Sequence, residues 1–349
     1  MPNPEVLHEL IGKVLGNFAG AMSAILMRIG EEQGLFKALA EGPATSAELA
    51  KRTDLAERYV REWLSAMAAS GYINYAPESQ VFSMTEEQVA VFAIEGTPAY
   101  MPSFSDMLVA LVHDYPKISA EFKTGKGVAW GDHHQCLFRG TERFFRPGYA
   151  AFLVEQWIPA LDGVKTKLEK GAKVADIGCG RGSSTLIMAK AFPNSTFVGY
   201  DFHPPSIELA RAHAKEEGLS NATFEVAAAK TFDGGPFDLV TIFDALHDMG
   251  DPAGAAAHVK SQMKPDGTWM VVEPLAGDRL EENFHPLGQL FYSASTLVCT
   301  PASLAQEVGL ALGAQAGQAR LTKVLNDGGF SKVRRAAETP TNMILEARI

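Results

Sequence analysis

The feature that most narrows what this chain can fold into is the run Val174-Ala175-Asp176-Ile177-Gly178-Cys179-Gly180-Arg181-Gly182. A short apolar stretch carries an acid near its end, and three glycines at alternate positions follow before a helix begins near Ser183. Glycine accepts the left-handed backbone of a tight turn and lets a ligand come close to the main chain. A turn of this kind after a strand places the ligand at the carboxyl end of a parallel sheet. A dinucleotide fingerprint requires glycine at position 183, where this chain has serine. The observed spacing makes no extra provision for a pyrophosphate and suits a cofactor with an amino-acid tail.

From position 173 onward strands alternate with helices. Strands are expected at 174–177, 196–200, 223–226, 237–243 and 269–273, with two more near 330–333 and 342–346. Helices are expected at 206–217, closed by Gly218, and at 252–263, entered from Asp251 with proline first. The pattern predicts an α/β fold, a Rossmann-like, seven-stranded, mostly parallel sheet with helices on both faces. The second strand runs into Asp201, 21 residues after Gly180. A carboxylate there can accept both hydroxyls of a ribose; its competing role is to cap the helix after Pro204 and Pro205.

The N-terminal part reads differently. Thr45-Ser46-Ala47-Glu48 is a capping box opening a helix through Ala50, and Asp54-Leu55-Ala56-Glu57 repeats the pattern. In the second helix Val60, Trp63, Leu64 and Met67 recur at helical spacing until Gly71. Strands at 72–75 and 81–84 flank a turn at Pro77-Glu78-Ser79, so helix, turn, helix and hairpin make a winged helix. The domains expected are 1–100 (winged helix), 101–160 (a helical bridge broken by Pro102 and Pro116) and 161–349 (the sheet).

Composition restricts the partners. With 46% hydrophobic and 21% charged residues the chain is neither disordered nor fibrous. A formal net charge of -10 repels nucleic acid in general. Cys136, Cys179 and Cys299 are scattered and odd in number, which disfavours a disulfide framework or structural zinc and points to a reducing cytoplasm. No membrane span is expected: residues 14–29 are rather apolar, but Asn17 interrupts them, and Glu5 and Glu9 precede them where a signal peptide carries positive charge. An amphipathic helix packing on its own fold or on a partner subunit is the expectation.

On the glycine motif and Asp201, residues 160–349 resemble the class I S-adenosylmethionine-dependent methyltransferases. The resemblance implies S-adenosylmethionine as cofactor and S-adenosylhomocysteine as product. It places Asp176, Gly178, Cys179 and Gly180 at the methionine part, Asp201 at the ribose and Phe202 beside the adenine. Ala228 and Ala229 after the third strand, and Phe243 and Asp244 at the end of the fourth, join the cofactor set. Many members have an aspartate after the third strand that reaches the adenine amino group; this chain has Ala227-Ala228-Ala229-Lys230.

The fourth strand runs on into Ala245-Leu246-His247-Asp248-Met249. Methyl transfer from a sulfonium needs an acceptor held in line and, for a phenol or alcohol, a base; histidine titrates in the right range. The winged N-terminal half joined to this catalytic half is similar to the small-molecule O-methyltransferases of plants and of bacterial natural-product pathways. That resemblance implies His247 as base and Glu273 as its supporting acid, with Asp248 in the adjoining position; Met249 stands where the family usually has tryptophan. The competing role for His247 is packing or cofactor contact alone. Neither an Asn-Pro-Pro-aromatic motif nor an Asp-Asn metal pair is present.

Trp130, His133 and His134 are candidates for covering the cofactor or acceptor, and Phe291 and Tyr292 for the floor of an apolar acceptor pocket or a domain contact. No metal is expected, because adjacent histidines point apart and no further ligand keeps a regular spacing. Glu57, Arg58, Arg61 and Glu62 give the second helix of the winged domain mixed charge, which argues against DNA reading. The resemblance implies that this domain serves homodimerisation and helps to wall the pocket. The expected function is transfer of a methyl group to an oxygen of a small-molecule acceptor. Two alternatives stand beside it: a DNA-binding regulator that senses a ligand through the methyltransferase fold, and an enzyme of that fold with non-methylating chemistry.

Overall fold

Alternation of apolar strands and amphipathic helices buries one sheet under two helical layers, whereas the N-terminal helices have only each other and a hairpin to pack on. The computed structural model describes residues 1–349 and divides into two units. The first comprises Met1–Val112 with Gln135–Pro147, the second His113–His134 with Gly148–Ile349. The helices Phe104–Thr124 and Cys136–Phe152 contribute residues to both.

In the first unit, helices Leu35–Ala40, Ser46–Thr53 and Glu57–Ala69 are followed by the hairpin β1 (Asn74–Ala76) and β2 (Val81–Ser83). Its core is Phe36, Leu49, Trp63, Leu64 and Met67, with the Phe36 ring stacked on Phe92 at 5.0 Å and edge-on to Trp63 at 4.8 Å. The Thr45–Glu48 capping box forms as expected. The second one does not: Asp54 takes a left-handed conformation (φ 54°) and ends the preceding helix, and Ala56 starts the next without a side-chain cap. Aspartate is among the few residues that accept this backbone, so it serves at a helix end as readily as at a start.

The first helix is Pro4–Glu32. By length and composition it is apolar enough to cross a membrane, with a mean hydropathy of 1.5 over its best window. Its charges gather at the two ends, and Asn17 alone does not offset the apolar residues between. Val14, Leu15, Phe18 and Met22 are exposed on it. No atom lies within 4 Å of where a Cβ would sit on Gly12, Gly16 or Gly20.

The second unit holds β3 (Lys173–Ile177), β4 (Thr196–Asp201), β5 (Ala222–Val226), β6 (Phe237–Phe243), β7 (Met263–Pro274), β8 (Lys332–Glu338) and β9 (Asn342–Arg348). They form one sheet in the order β5-β4-β3-β6-β7-β9-β8, parallel through β7 and antiparallel at β7/β9 and β9/β8. This order reverses direction between β3 and β6, so the crevice at their carboxyl ends is the natural ligand site of an open α/β sheet. Val174, Val240, Val271 and Leu345, all fully buried, place the core along the central strands.

Boundaries moved where tertiary packing intervenes. The helix expected to reach 263 stops at Ser261, because Met263 already begins β7. The strand expected at 330–333 starts at Lys332; Phe330 instead plugs the core against Trp269, ring centroids 5.1 Å apart. Pro116 does not break the bridge but lies inside Phe104–Thr124, where a proline removes one hydrogen bond without abolishing the helix. The region between Glu273 and Pro301 is helical rather than an extended loop, running through Leu280–Asn283 and Pro286–Ala294 into a wide turn at Ser295–Cys299.

Candidate active site

Strand β3 ends in the glycine turn. Gly178 and Gly180 have φ of 66° and 52°, and a Cβ on Gly180 would meet nothing within 4 Å. At Gly180 the turn therefore offers left-handed backbone facing open space, the shape a ligand needs to reach the main chain. Asp176 lies beneath it, almost fully buried, and accepts hydrogen bonds from Ser184 Oγ (2.7 Å), Thr185 Oγ1 (2.6 Å) and Thr241 Oγ1 (2.9 Å). Burial pushes its carboxyl up to about 6 against those hydroxyls. With both oxygens engaged, Asp176 braces the turn from inside. Cys179 is buried beside it, and burial pushes its thiol well above the ordinary range.

Asp201 ends β4 and is buried. Its Oδ2 accepts the Gly180 amide at 2.9 Å and its Oδ1 the His203 amide at 2.8 Å, so it grips the glycine turn directly. A carboxylate has about four acceptor positions, and two stay available for a diol. Burial raises its pKa in spite of the two amides. The helix after it, Pro204–Glu216, has His203 rather than Asp201 as its capping residue. Phe202 is exposed at the rim, and Ala228 and Ala229 follow β5, with the Ala228 carbonyl accepting the amides of Thr231 and Phe232.

Strand β6 ends at Phe243, and the next residue, Asp244, is forced to a left-handed φ of 49°. For a residue other than glycine that is strained backbone, of the kind that gathers at functional sites. Asp244 accepts the Tyr149 hydroxyl at 2.8 Å and the Asn342 side-chain amide at 2.7 Å. Burial and the nearby Glu273 carboxylate push it up to about 7. Neither Tyr149 nor Asn342 was anticipated, since each lies far away in the chain without a motif around it.

Past the turn, His247 is buried with its Nδ1 at 2.5 Å from Glu273 Oε2. The other oxygen of Glu273, itself buried in β7, accepts the Leu246 amide at 2.9 Å. One carboxylate thus fixes both the backbone of the turn and the orientation of the ring. Burial opposes a charge on His247, but the Glu273 and Asp248 carboxylates outweigh it and hold its pKa well above the ordinary value. His247 Nε2 lies 3.2 Å from Asp248 Oδ1, and the buried Cys299 thiol interacts with both side chains.

The Trp130–Asp132 turn lies against the crevice rim: a Cβ on Gly131 would meet His203 Cδ2 at 3.6 Å. His133 is buried, with Nδ1 3.2 Å from Asp114 Oδ2, and burial lowers its pKa despite that acid. The adjoining His134 donates its backbone amide to the same Asp114 oxygen at 2.7 Å, while its ring packs on His113. Val128 donates to the Pro301 carbonyl at 3.1 Å, which ties this stretch to the segment after Cys299. Phe291 is buried and Tyr292 half-buried on the helix that leads to Cys299.

Comparison with known proteins agrees with this architecture. Residues 168–329 match the family described as methyltransferase domain, and residues 21–93 the Rv2258c-like winged HTH domain. The chain is 36% identical over 103 residues to the ubiquinone biosynthesis O-methyltransferase of Actinobacillus pleuropneumoniae serotype 5b (strain L20), covering 28% of this chain and 43% of that protein. It is 28% identical over 176 residues to the nocamycin O-methyltransferase of Saccharothrix syringae, 48% of this chain and 62% of that one. The chain thus spans less than two thirds of the length of either relative. Among solved structures, mitomycin 7-O-methyltransferase superposes with a TM-score of 0.72 at 18% identity, covering 99% of this chain and all of the other. Human N-acetylserotonin methyltransferase in complex with SAM gives 0.73 at 17% identity, with 97% of each chain covered. Residues 168–329 therefore match a methyltransferase domain within a sheet of the class I methyltransferase fold, and residues 21–93 match a winged-helix domain ahead of it.

Proposed function

We propose that this chain, a methyltransferase domain preceded by a winged helix, transfers a methyl group from S-adenosylmethionine to an oxygen of a small-molecule acceptor. The observation that carries this reading is the buried His247–Glu273 pair, 2.5 Å apart, at the same sheet edge as the open glycine turn. The relatives that share the domain include a ubiquinone biosynthesis O-methyltransferase and a nocamycin O-methyltransferase, and they support oxygen as the acceptor atom.

The residues present fit the cofactor. At Gly180 the turn supplies main chain in open space for the amino-acid tail, and the free acceptor positions of Asp201 suit a ribose diol. Asp244, a carboxyl poised near neutrality, suits the positive charge on the tail, and Phe202 offers a ring at the rim for the adenine. When bound, S-adenosylmethionine supplies a methyl group already activated by a sulfonium. The protein's own task is to hold the acceptor in line and remove its proton. Glu273 holds Nδ1 of His247; with the pKa of the ring held well above its ordinary value, Nε2 receives that proton in the deprotonated fraction of the enzyme, and the carboxylate stabilises the imidazolium as it forms. The 130–134 stretch and Phe291 with Tyr292 cover and floor the acceptor side.

The winged domain serves association of two copies rather than DNA. Its second helix pairs its arginines internally, Arg58 with Glu62 at 2.6 Å and Arg61 with Glu57 at 2.7 Å, and so offers no free basic face to phosphate. The exposed face of Pro4–Glu32, with its stripe of Gly12, Gly16 and Gly20, lets a second helix approach closely. Sedimentation equilibrium is expected to show a dimer, and a Gly16→Leu variant a monomer. The three free cysteines suit a reducing cytoplasm.

The decisive experiment is calorimetric titration of the full chain with S-adenosylmethionine and S-adenosylhomocysteine, with Asp201→Ala as control. Binding of both, weakened about 10–100-fold in the variant, supports the reading and leads to a screen of phenolic acceptors. Absence of binding by folded protein rejects it.

A further inference from the structure

We propose that His247, Asp248 and Cys299 form a three-ligand site for a zinc-class divalent cation, and that its occupation switches methyl transfer off. The three side chains offer one nitrogen, one oxygen and one sulfur, and these ligand atoms lie within 4.8 Å of one another. Nε2 of His247 and Oδ1 of Asp248 are 3.2 Å apart, a separation that two ligands of one small cation require. Cys299 arrives from a distant part of the chain, on the wide turn Ser295–Cys299, and is buried against them.

Two independent observations point to a ligand. Asp248 Oδ1 is a buried oxygen without a well-formed hydrogen bond; the polar groups beside it are His247 Nε2 at 3.2 Å and the Cys299 thiol, the other members of the cluster. His133 is likewise buried, its Nε2 has no partner, and it lies near enough to Asp248 for their charges to interact. Both histidines are also held as metal-binding histidines usually are, with the far ring nitrogen on a carboxylate: His247 on Glu273 at 2.5 Å and His133 on Asp114 at 3.2 Å.

The donor set selects the metal. A thiolate with an imidazole and one carboxylate suits zinc or cobalt(II), whereas magnesium and calcium prefer oxygen alone. Binding displaces the thiol proton and the Nε2 proton of the imidazolium to solvent and forms bonds to sulfur, Nε2 and carboxylate oxygen, leaving a fourth position for water. It also takes the nitrogen that would receive the acceptor's proton. Binding itself is independent of the methyl-transfer reading; only the effect on turnover rests on that reading.

The test uses the full chain stripped with a chelator and titrated with cobalt(II), then with zinc. We expect a near-ultraviolet thiolate-to-cobalt charge-transfer band and one equivalent of zinc retained through gel filtration. Both should be lost in Cys299→Ser and in Asp248→Asn, with the circular dichroism of each variant unchanged. Glu273→Gln should weaken zinc binding about 10–100-fold. Absence of the band together with no zinc retained overturns the site, as does retention undiminished in Cys299→Ser. S-adenosylhomocysteine titration of the same samples keeps the two readings apart. Zinc bound without S-adenosylhomocysteine supports the metal site and rejects the transferase, and the opposite result does the reverse.

Discussion

Two clusters of buried acids in this protein, one around Asp106 in the N-terminal unit and one around the crevice of the sheet, are treated in opposite ways. In the N-terminal unit Asp106 is fully buried and meets three arginines, Arg28, Arg139 and Arg143, the last at 2.9 Å. Arg143 continues to Glu31 and, at 2.6 Å, to Glu95, while the Tyr100 hydroxyl donates to Glu31 at 2.7 Å. Burial alone would raise the Asp106 carboxyl, but the arginines reverse that and hold it below its ordinary value. In the C-terminal unit Asp176, Asp201, Asp244 and Asp248 are all raised, and burial is the first cause each time. Their partners are hydroxyls, amides and one imidazole, with no guanidinium among the bonds described above. A guanidinium never gives up its proton, whereas an imidazole does so in the working range of an enzyme. Permanent counter-charge suits a fixed joint; its absence around the crevice agrees with the proposed role of these acids toward a positively charged ligand.

The largest effect is expected at Asp106. Asp106→Ala leaves three guanidinium groups facing one another, and we expect the N-terminal unit to lose about 2–4 kcal/mol in urea unfolding. A loss below about 0.5 kcal/mol would place that cluster with ordinary surface pairs. Next in size is the conditional charge: His247→Ala should lower turnover about 100-fold or more while calorimetry shows nearly unchanged affinity for S-adenosylhomocysteine. Normal turnover would return His247 to a packing role.

Asp201→Ala should weaken S-adenosylhomocysteine binding about 10–100-fold, with stability of the ligand-free protein changed by no more than about 1 kcal/mol. Had Asp201 a fixed counter-charge like that of Asp106, stability would fall as well.

The gentlest test is pH. Asp244 faces Glu273, His247 and Tyr149, and its carboxyl titrates at about 7 in the folded chain, well above the aspartate of an unfolded one. The folded state therefore holds the proton more tightly. The stability this confers is complete below the unfolded pKa near 4 and is lost as pH rises through about 7. Asp244→Asn cannot lose a proton, so its melting temperature should gain on that of the ligand-free wild type between pH 5 and 8. Parallel profiles would show that Asp244 is not the group responsible.

Much of this was legible in the sequence because it depends on neighbours in the chain. The glycine turn, Asp201 at the end of its strand and the Thr45–Glu48 capping box are local patterns with one physical reading each. The central strands, buried on both faces, appear as continuous apolar runs. What escaped is set by tertiary packing. Tyr149 and Asn342 reach Asp244 from 95 and 98 residues away, and neither carries a signature of its own. Cys299 looked like one scattered thiol until the turn at Ser295–Cys299 carried it to His247. Asp54 failed for another reason, because aspartate suits both ends of a helix and only the neighbouring backbone decides which.

The helix Pro4–Glu32 has a consequence for how the protein has to be handled. If a second copy is what covers its apolar face, association and folding are linked by mass action, and the folded state deepens with every increase in protein concentration. A melting temperature measured at calorimeter concentrations would then overstate the stability of the same protein diluted for a turnover assay, and activity lost on dilution would be recovered by concentrating the sample.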